Sequence, residues 1–409
     1  MTIEIGKSWK PWAVLGVSLM LAGCGSGGGG TNNTGTVRFA ALTSIPGWGS
    51  ATNASFDLGT VDPATSLYYF TDRNNKAVDV IDGRSRTVVA QFQAGFAGAG
   101  ASTSKSGPNG IDLIAGNRLA AGDVNSVKFL DRTTGALLSN VVVSASGLRA
   151  DEGCFDPDDN IYMISSPEEN PPFATFINTI TYAIIAKVTF IDAAGAPGAG
   201  LEACFYDKSS KSFYVNNDGT TANPDGEVNV IPAASIAGLA GATVNYLTLA
   251  GLKAFPEGNC DPAGLVQGPG NDMAVSCRPA KGVALNFLIM DRTTGAILAT
   301  VPMGGGDQIW YDPATNRYYS GASRWTANGL SPGSCSAATP CTPVVGVVDA
   351  ATRALYTRIP TGNNAHSIAV DPVLHQAYSP ISSPNAPAGC PDCGANGFTT
   401  AAVAVFTTQ

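Results

Sequence analysis

The stretch SVKFLDRTTGALLSNV, residues 126–141, returns as NFLIMDRTTGAILATV at residues 286–301. Each copy runs from an apolar segment through Asp-Arg-Thr-Thr-Gly-Ala into a second apolar segment. A Thr-Gly pair between two short apolar runs reads as a tight turn joining neighbouring antiparallel strands. Working outward from both copies, a larger unit recurs: an apolar strand often ending in Asp-Pro, a tight turn, an aromatic strand, and a third strand ending in Asp-x-x-Thr or Asp-x-x-Gly. DRTTGA is then the turn from the third strand of this unit to its fourth. Such internal periodicity decides architecture before any local reading.

The first unit joins ASFDLGTVDPATSLYYFTD to AVDVIDGRSRTVVAQF, and the second joins NGIDLIAGNRLAAGD to SVKFLDRTTGALLSNV. Later units open at DEGCFDPDDNIYMIS, LEACFYDKSSKSFYVNND, EGNCDPAGL, GGDQIWYDPATNRYYSG and NAHSIAVDPVLHQAYSP. Seven units of about fifty residues predict an all-β, seven-bladed β-propeller of four-stranded antiparallel blades over residues 36–409. Alternation along the strands is imperfect, as expected where each sheet is covered on both faces. The seventh unit stops after its third strand, AVAVFTT. The lone segment TVRFAALTS, Thr36–Ser44, is predicted to supply the missing outer strand and close the ring. PPFATFINTITYAIIAKVTFID and IPAASIAGLAGATVNYLTLAGL read as long inserts in the third and fourth units.

Composition agrees. Among 409 residues, 48 are Gly and 26 Pro while only 13% are charged, which suits many short strands joined by turns. The formal charge of −8 argues against nucleic-acid binding, which needs basic stripes. Residues 1–23 carry Lys7 and Lys10, an apolar run from Trp12 to Ala22, and small residues before Cys24. This is a secretory signal too short to span a bilayer comfortably. Residues 24–35 begin with Cys24 and continue as GSGGGGTNNTG, a flexible tether with no apolar side chains to pack. No strand, Lys-Ser/Thr or helix accompanies these glycines, so they do not form a phosphate-cradling loop.

Leu21 to Cys24, LAGC, resembles the lipobox of bacterial lipoproteins. That resemblance implies lipidation at Cys24, a membrane anchor and, with Gly25 rather than Asp after the Cys, an outer-membrane location. VDVIDGRSRTVVAQF, VKFLDRTTGALLSNV and VVGVVDAATRALYTRI resemble the strands of YncE-like, lactonase-like seven-bladed propellers, a fold that hosts many functions.

Apart from Cys24, eight cysteines remain, an even number suited to disulfides in an exported chain. Cys335 with Cys341 and Cys390 with Cys393 would staple loops; Cys260 with Cys277 could bridge neighbouring strands, which leaves Cys154 and Cys204 to pair across adjacent units, and the pairing among these last four stays open. CPDC lacks the following His of haem attachment, and a structural bridge is preferred there to a redox centre or half a zinc site.

The first strand of each propeller blade lines the central channel. Five positions before its terminal Asp-Pro or equivalent stand Asp57, Asn109, Asp151 or Glu152, Glu202, Glu257, Asp307 and His366. A ring of carboxylates at one mouth raises its own pKa values unless a cation neutralises it, which points to Ca²⁺, with Mg²⁺ second. Glu152, Glu202, Glu257, Asp307 and Asp57 are the candidate ligands, and His366 and Asp307 the candidate catalytic pair. The plainer alternative is a wet acidic funnel that binds nothing specific. Trp310 and Tyr311 are expected to pack between blades. SSPEENPPFATFINTI and TANGLSPGSCSAATPCTP are expected either to overhang a mouth or to form a partner surface.

The sequence therefore predicts a monomeric envelope binding or scaffold module, whose partner is a membrane, an envelope protein or a small molecule. A metal-dependent lactonase-like hydrolase is the alternative, and a quinone-cofactor dehydrogenase a more distant one. Haem and nucleotide are not expected.

Overall fold

The aspartate of each DRTTGA copy makes its turn. In the computed structural model, Asp131 Oδ1 accepts the backbone N–H groups of Thr133 and Thr134 at 3.0 and 2.8 Å, and Asp291 Oδ1 accepts those of Thr293 and Thr294 at 2.8 and 2.9 Å. Asn178 caps the corresponding turn of the third blade in the same way. The position after the two threonines has a left-handed backbone, with φ of 71° at Gly135 and 75° at Gly295. Other blades place Arg86, Tyr182 and Arg353 there, so the turn itself does not require glycine. Packing does: a Cβ would lie 2.2 Å from the Phe92 ring at Gly135, and 2.4 Å from the Phe255 ring at Gly295. Both phenylalanines belong to the outer strand of the preceding blade.

The structure describes residues 36–49, 54–336, 338–382, 398 and 400–409. The signal, the tether, Cys24, Cys390 and Cys393 lie outside them. Residues 35–409 form one compact unit. Its strands make seven four-stranded antiparallel blades, one of them extended by a parallel fifth strand. In the seventh, Arg38–Thr43 is the outer strand, antiparallel to Ala402–Thr407 with Arg38 opposite Thr407 and Thr43 opposite Val403. The amino-terminal strand thus completes the last blade, as expected. Tyr68 of the first blade stacks on Tyr378 of the seventh with ring centroids 4.8 Å apart, so the seam is packed as well as hydrogen-bonded. The aromatic second strands supply much of the core, for Tyr68, Tyr69, Tyr162, Tyr318, Tyr319 and Tyr378 are all fully buried.

Two segments depart from their sequence reading. PPFATFINTITYAIIAKVTFID is no insert, because Phe173–Asn178 and Ile184–Thr189 are the regular third and fourth strands of blade three. The insert of blade four is real, and it carries a short strand, Ala242–Asn245, that pairs in parallel with Ile184–Thr189 of blade three. Disulfides join Cys154 to Cys204 between the inner strands of blades three and four, Cys260 to Cys277, and Cys335 to Cys341.

Candidate functional site

Each inner strand starts at one mouth of the channel, and in three blades its start carries a β-bulge. Register shifts fall between Phe56 and Gly59, between Leu201 and Cys204, and between Pro262 and Leu265. A bulge re-aims the side chain that follows it. Asp57 and Glu202 occupy this position in blades one and four and line a chamber of about 590 Å³, together with Asp151, Glu152, Asp307 and His366.

Blade five puts Ala263 at the bulge. Glu257 lies before its inner strand, Pro262–Gln267, and does not line the chamber. Asp261-Pro262 opens that strand, whereas the Asp-Pro of other blades closes it, so counting back from it lands in a loop. Glu257 is 1% exposed, neither carboxylate oxygen has a hydrogen-bond partner among the described residues, and burial, then Asp218, Glu227 and Asp261, push its carboxyl well above the usual range. Asn109 is buried and accepts from the Arg73 guanidinium at 2.7 Å.

The sequence reading missed four arginines. Arg73, Arg149, Arg278 and Arg324 line the same chamber, so the acidic ring is in fact interleaved with cations. Three ion pairs result: Arg73–Asp57 at 2.8 Å, Arg149–Asp151 at 2.7 Å and Arg278–Glu202 at 2.7 Å. Arg149 also reaches Glu168 at 2.9 Å. A signal for three of them was present. The second strand of a blade runs back to the mouth, so residues just past its end sit beside the start of the first. Arg73 follows Leu67–Asp72, Arg278 follows Asp272–Cys277, and Arg324 lies two residues past Arg317–Ala322.

These pairs leave three groups over. Glu152, 7% exposed, has no cationic partner among the described residues; burial, then Asp307, Asp151, Glu202 and Asp57, push its carboxyl well above the usual range. Asp307 approaches Arg278 only to 3.9 Å. Among the described residues no hydrogen bond or ion pair holds the Arg324 guanidinium, and burial followed by the like charge of Arg278 pushes its pKa down. Asp57 is the opposite case: burial would raise it, but Arg73, a hydrogen bond with His366 and Arg149 bring it below its ordinary value.

His366 stacks on Phe56 with rings 3° from parallel and 5.0 Å apart. Its Nε2 lies 3.4 Å from Asp57 Oδ1, and its Nδ1 lies 2.9 Å from the Asn364 carbonyl. Both ring nitrogens therefore face protein groups. Asp151, Glu152 and Glu202 bring carboxylate oxygens within 4.8 Å of one another, the closest approach here to a metal-ligand set. The loop holding Cys335 reaches the chamber wall, as a mouth-covering insert would.

No family model matches the chain, and no curated protein matches it. Solved structures do share its fold. A chain of Kuenenia stuttgartiensis hydrazine synthase aligns over 85% of this chain and 95% of its own with a TM-score of 0.58 at 15% identity. A chain of a mitotic checkpoint complex aligns over 97% and 98% with a TM-score of 0.58 at 11% identity. A structure of U3-55K aligns over 87% and 96%, also with a TM-score of 0.58, at 10% identity. At these identities the likeness concerns the propeller alone, a fold generic for binding and scaffold roles.

Proposed function

We propose that this protein is a lipid-anchored binding module of the cell envelope that holds a small carboxylate-bearing molecule in the arginine-lined chamber. The anchor and location rest on the signal and LAGC sequence at residues 1–24. The ligand rests on one observation: among the described residues Arg324 has no ion-pair or hydrogen-bond partner for its guanidinium, while the other three arginines of the same cavity, Arg73, Arg149 and Arg278, are matched to carboxylates. A planar guanidinium fork recognises a carboxylate by two parallel hydrogen bonds. Calorimetric titration with acetate, succinate and a neutral sugar tests this. Binding of the acids but not the sugar, weakened at least tenfold in Arg324→Gln, is expected; equal behaviour of all three ligands, or no binding at millimolar concentration, would sink the reading. Detergent-phase partition of wild type against Cys24→Ala tests the anchor, with the variant expected in the aqueous phase.

A second reading, a Ca²⁺ or Mg²⁺ site on Asp151, Glu152 and Glu202, is favoured by the closeness of their oxygens. It would compete with Arg149 and Arg278 for two of its three ligands. A lactonase-like hydrolysis would be built on that cation. A metal-dependent rise in Tm, absent in Glu202→Gln, is its test.

A further inference from the structure

Beyond the charged chamber the channel changes character. A second cavity of about 150 Å³ is walled by Leu58, Ile111, Phe205, Leu265, Ile309 and Trp310, and Glu152 lines both cavities. Trp310 thus faces the channel as well as packing between blades. Apart from Glu152, the polar side chains on this wall are already engaged. Asp112 accepts the Tyr162 hydroxyl at 2.8 Å. Gln308 donates to the Gly59 carbonyl at 2.7 Å and accepts from Ser367 Oγ at 2.7 Å and from the Ile368 N–H at 3.0 Å. Cys204 is tied up in its disulfide. Apart from Glu152 and these engaged groups, the side chains facing the space are aliphatic and aromatic. A cavity of about this volume is large enough for a benzene-sized guest.

We infer that the two cavities form one bipartite site, and that its ligand is an amphiphilic acid whose carboxylate lies among the arginines and whose short hydrocarbon tail or ring passes Glu152 into the apolar chamber. This rests on the preceding reading of the charged chamber and names the ligand class for it. One feature makes the order of the parts definite: the guanidiniums that would hold an anion are confined to the wider cavity, and no cationic side chain is among the described residues that line the narrower one. The volume of the inner chamber limits the tail to roughly six carbons.

The experiment is a calorimetric titration of the full chain with straight-chain carboxylates from acetate to decanoate. Affinity is expected to rise about fourfold per methylene, the effect of removing one such group from water, and then to level off near six tail carbons. Ala203→Leu, which adds bulk to the chamber wall, should flatten the series while leaving acetate binding intact. Leu58→Ala, which enlarges it, should move the plateau to longer chains, so the two variants deviate in opposite directions and a simple loss of fold cannot imitate the pair. If acetate binds and chain length makes no difference, the bipartite site is wrong while the carboxylate reading stands. If no acid binds at all, both fall. A continuing rise to decanoate in wild type and both variants would mean that the tail lies elsewhere, on the outside of the ring.

Discussion

The two faces of the ring use the same residue types to opposite ends. On the face away from the chamber, where the inner strands finish and the DRTTGA turns project, Arg132 pairs with Asp62 and Arg292 with Asp207, each at 3.2 Å and each across to the preceding blade. The receiving carboxylates are saturated. Asp62 accepts the Ala64 N–H and the Thr65 hydroxyl, and Asp207 accepts the Ser209 and Ser210 N–H groups besides Arg292. Although burial pushes Asp207 up, hydrogen bonds from Ser210 and Ser209, with Arg292, hold it at about 2. At the chamber face neither Glu152, which sits among four carboxylates, nor the Arg324 guanidinium has an ion-pair partner among the described residues. Saturated charge marks a joint; unsatisfied charge marks a place built for something that arrives later.

The largest expected effect is at the better-buried joint. Arg292→Ala strands Asp207, 2% exposed, without its cation, and should cost about 3–5 kcal/mol in denaturant unfolding. A cost below about 1 kcal/mol would show that the serine hydrogen bonds suffice and that the joint is no joint. The converse comes from the chamber. Because the folded pKa of Glu152 lies above its unfolded value, the stability it contributes is present below about pH 4.5 and is lost as pH rises through the folded value. Glu152→Gln keeps the neutral form throughout. It should match wild type at pH 4 and exceed it at pH 8, as read from Tm at the two pH values. An equal deficit at both would mean that Glu152 is a structural hydrogen-bonding group.

The same contrast explains what could be read from the chain beforehand. Joints repeat, so they leave a period: DRTTGA recurs because two blades need an Asp cap, an Arg reaching backwards and a glycine to clear Phe92 or Phe255. Seven blades and the closing strand were both legible in that period. A site does not repeat. Its carboxylates were found by counting along the first strand, which succeeded for Asp57, Glu202 and Asp307 and failed in blade five, where Asp-Pro begins the strand and Ala263 takes the bulge. Its arginines come from the returning second strand, and no count along one strand joins Arg324 to Asp307. The channel's apolar half was hidden for a related reason: Leu58, Leu265 and Ile309 look like any core residue until the ring leaves them facing an open axis.

A finer test separates the two copies of the hexapeptide. The Arg132 side chain is 23% exposed and that of Arg292 7%. Water therefore replaces part of the lost interaction at the first copy, and Arg132→Ala should cost only about 1 kcal/mol. Comparable losses at both positions would show that burial does not set the strength of these joints.

The smallest effect on stability is expected where the functional effect is greatest. Arg324 is solvent-exposed at the open side of the chamber, holds no carboxylate among the described residues, and lies beside the like charge of Arg278. Arg324→Gln removes that repulsion and strands no partner. Unfolding free energy should stay within about 0.5 kcal/mol of wild type, or rise slightly, while carboxylate affinity falls at least tenfold. Were the variant instead to lose several degrees of Tm, as Arg292→Ala should, Arg324 would belong with the joints of the far face. The chamber would then contain no cation reserved for a ligand, and the difference between the two faces would reduce to a difference in exposure.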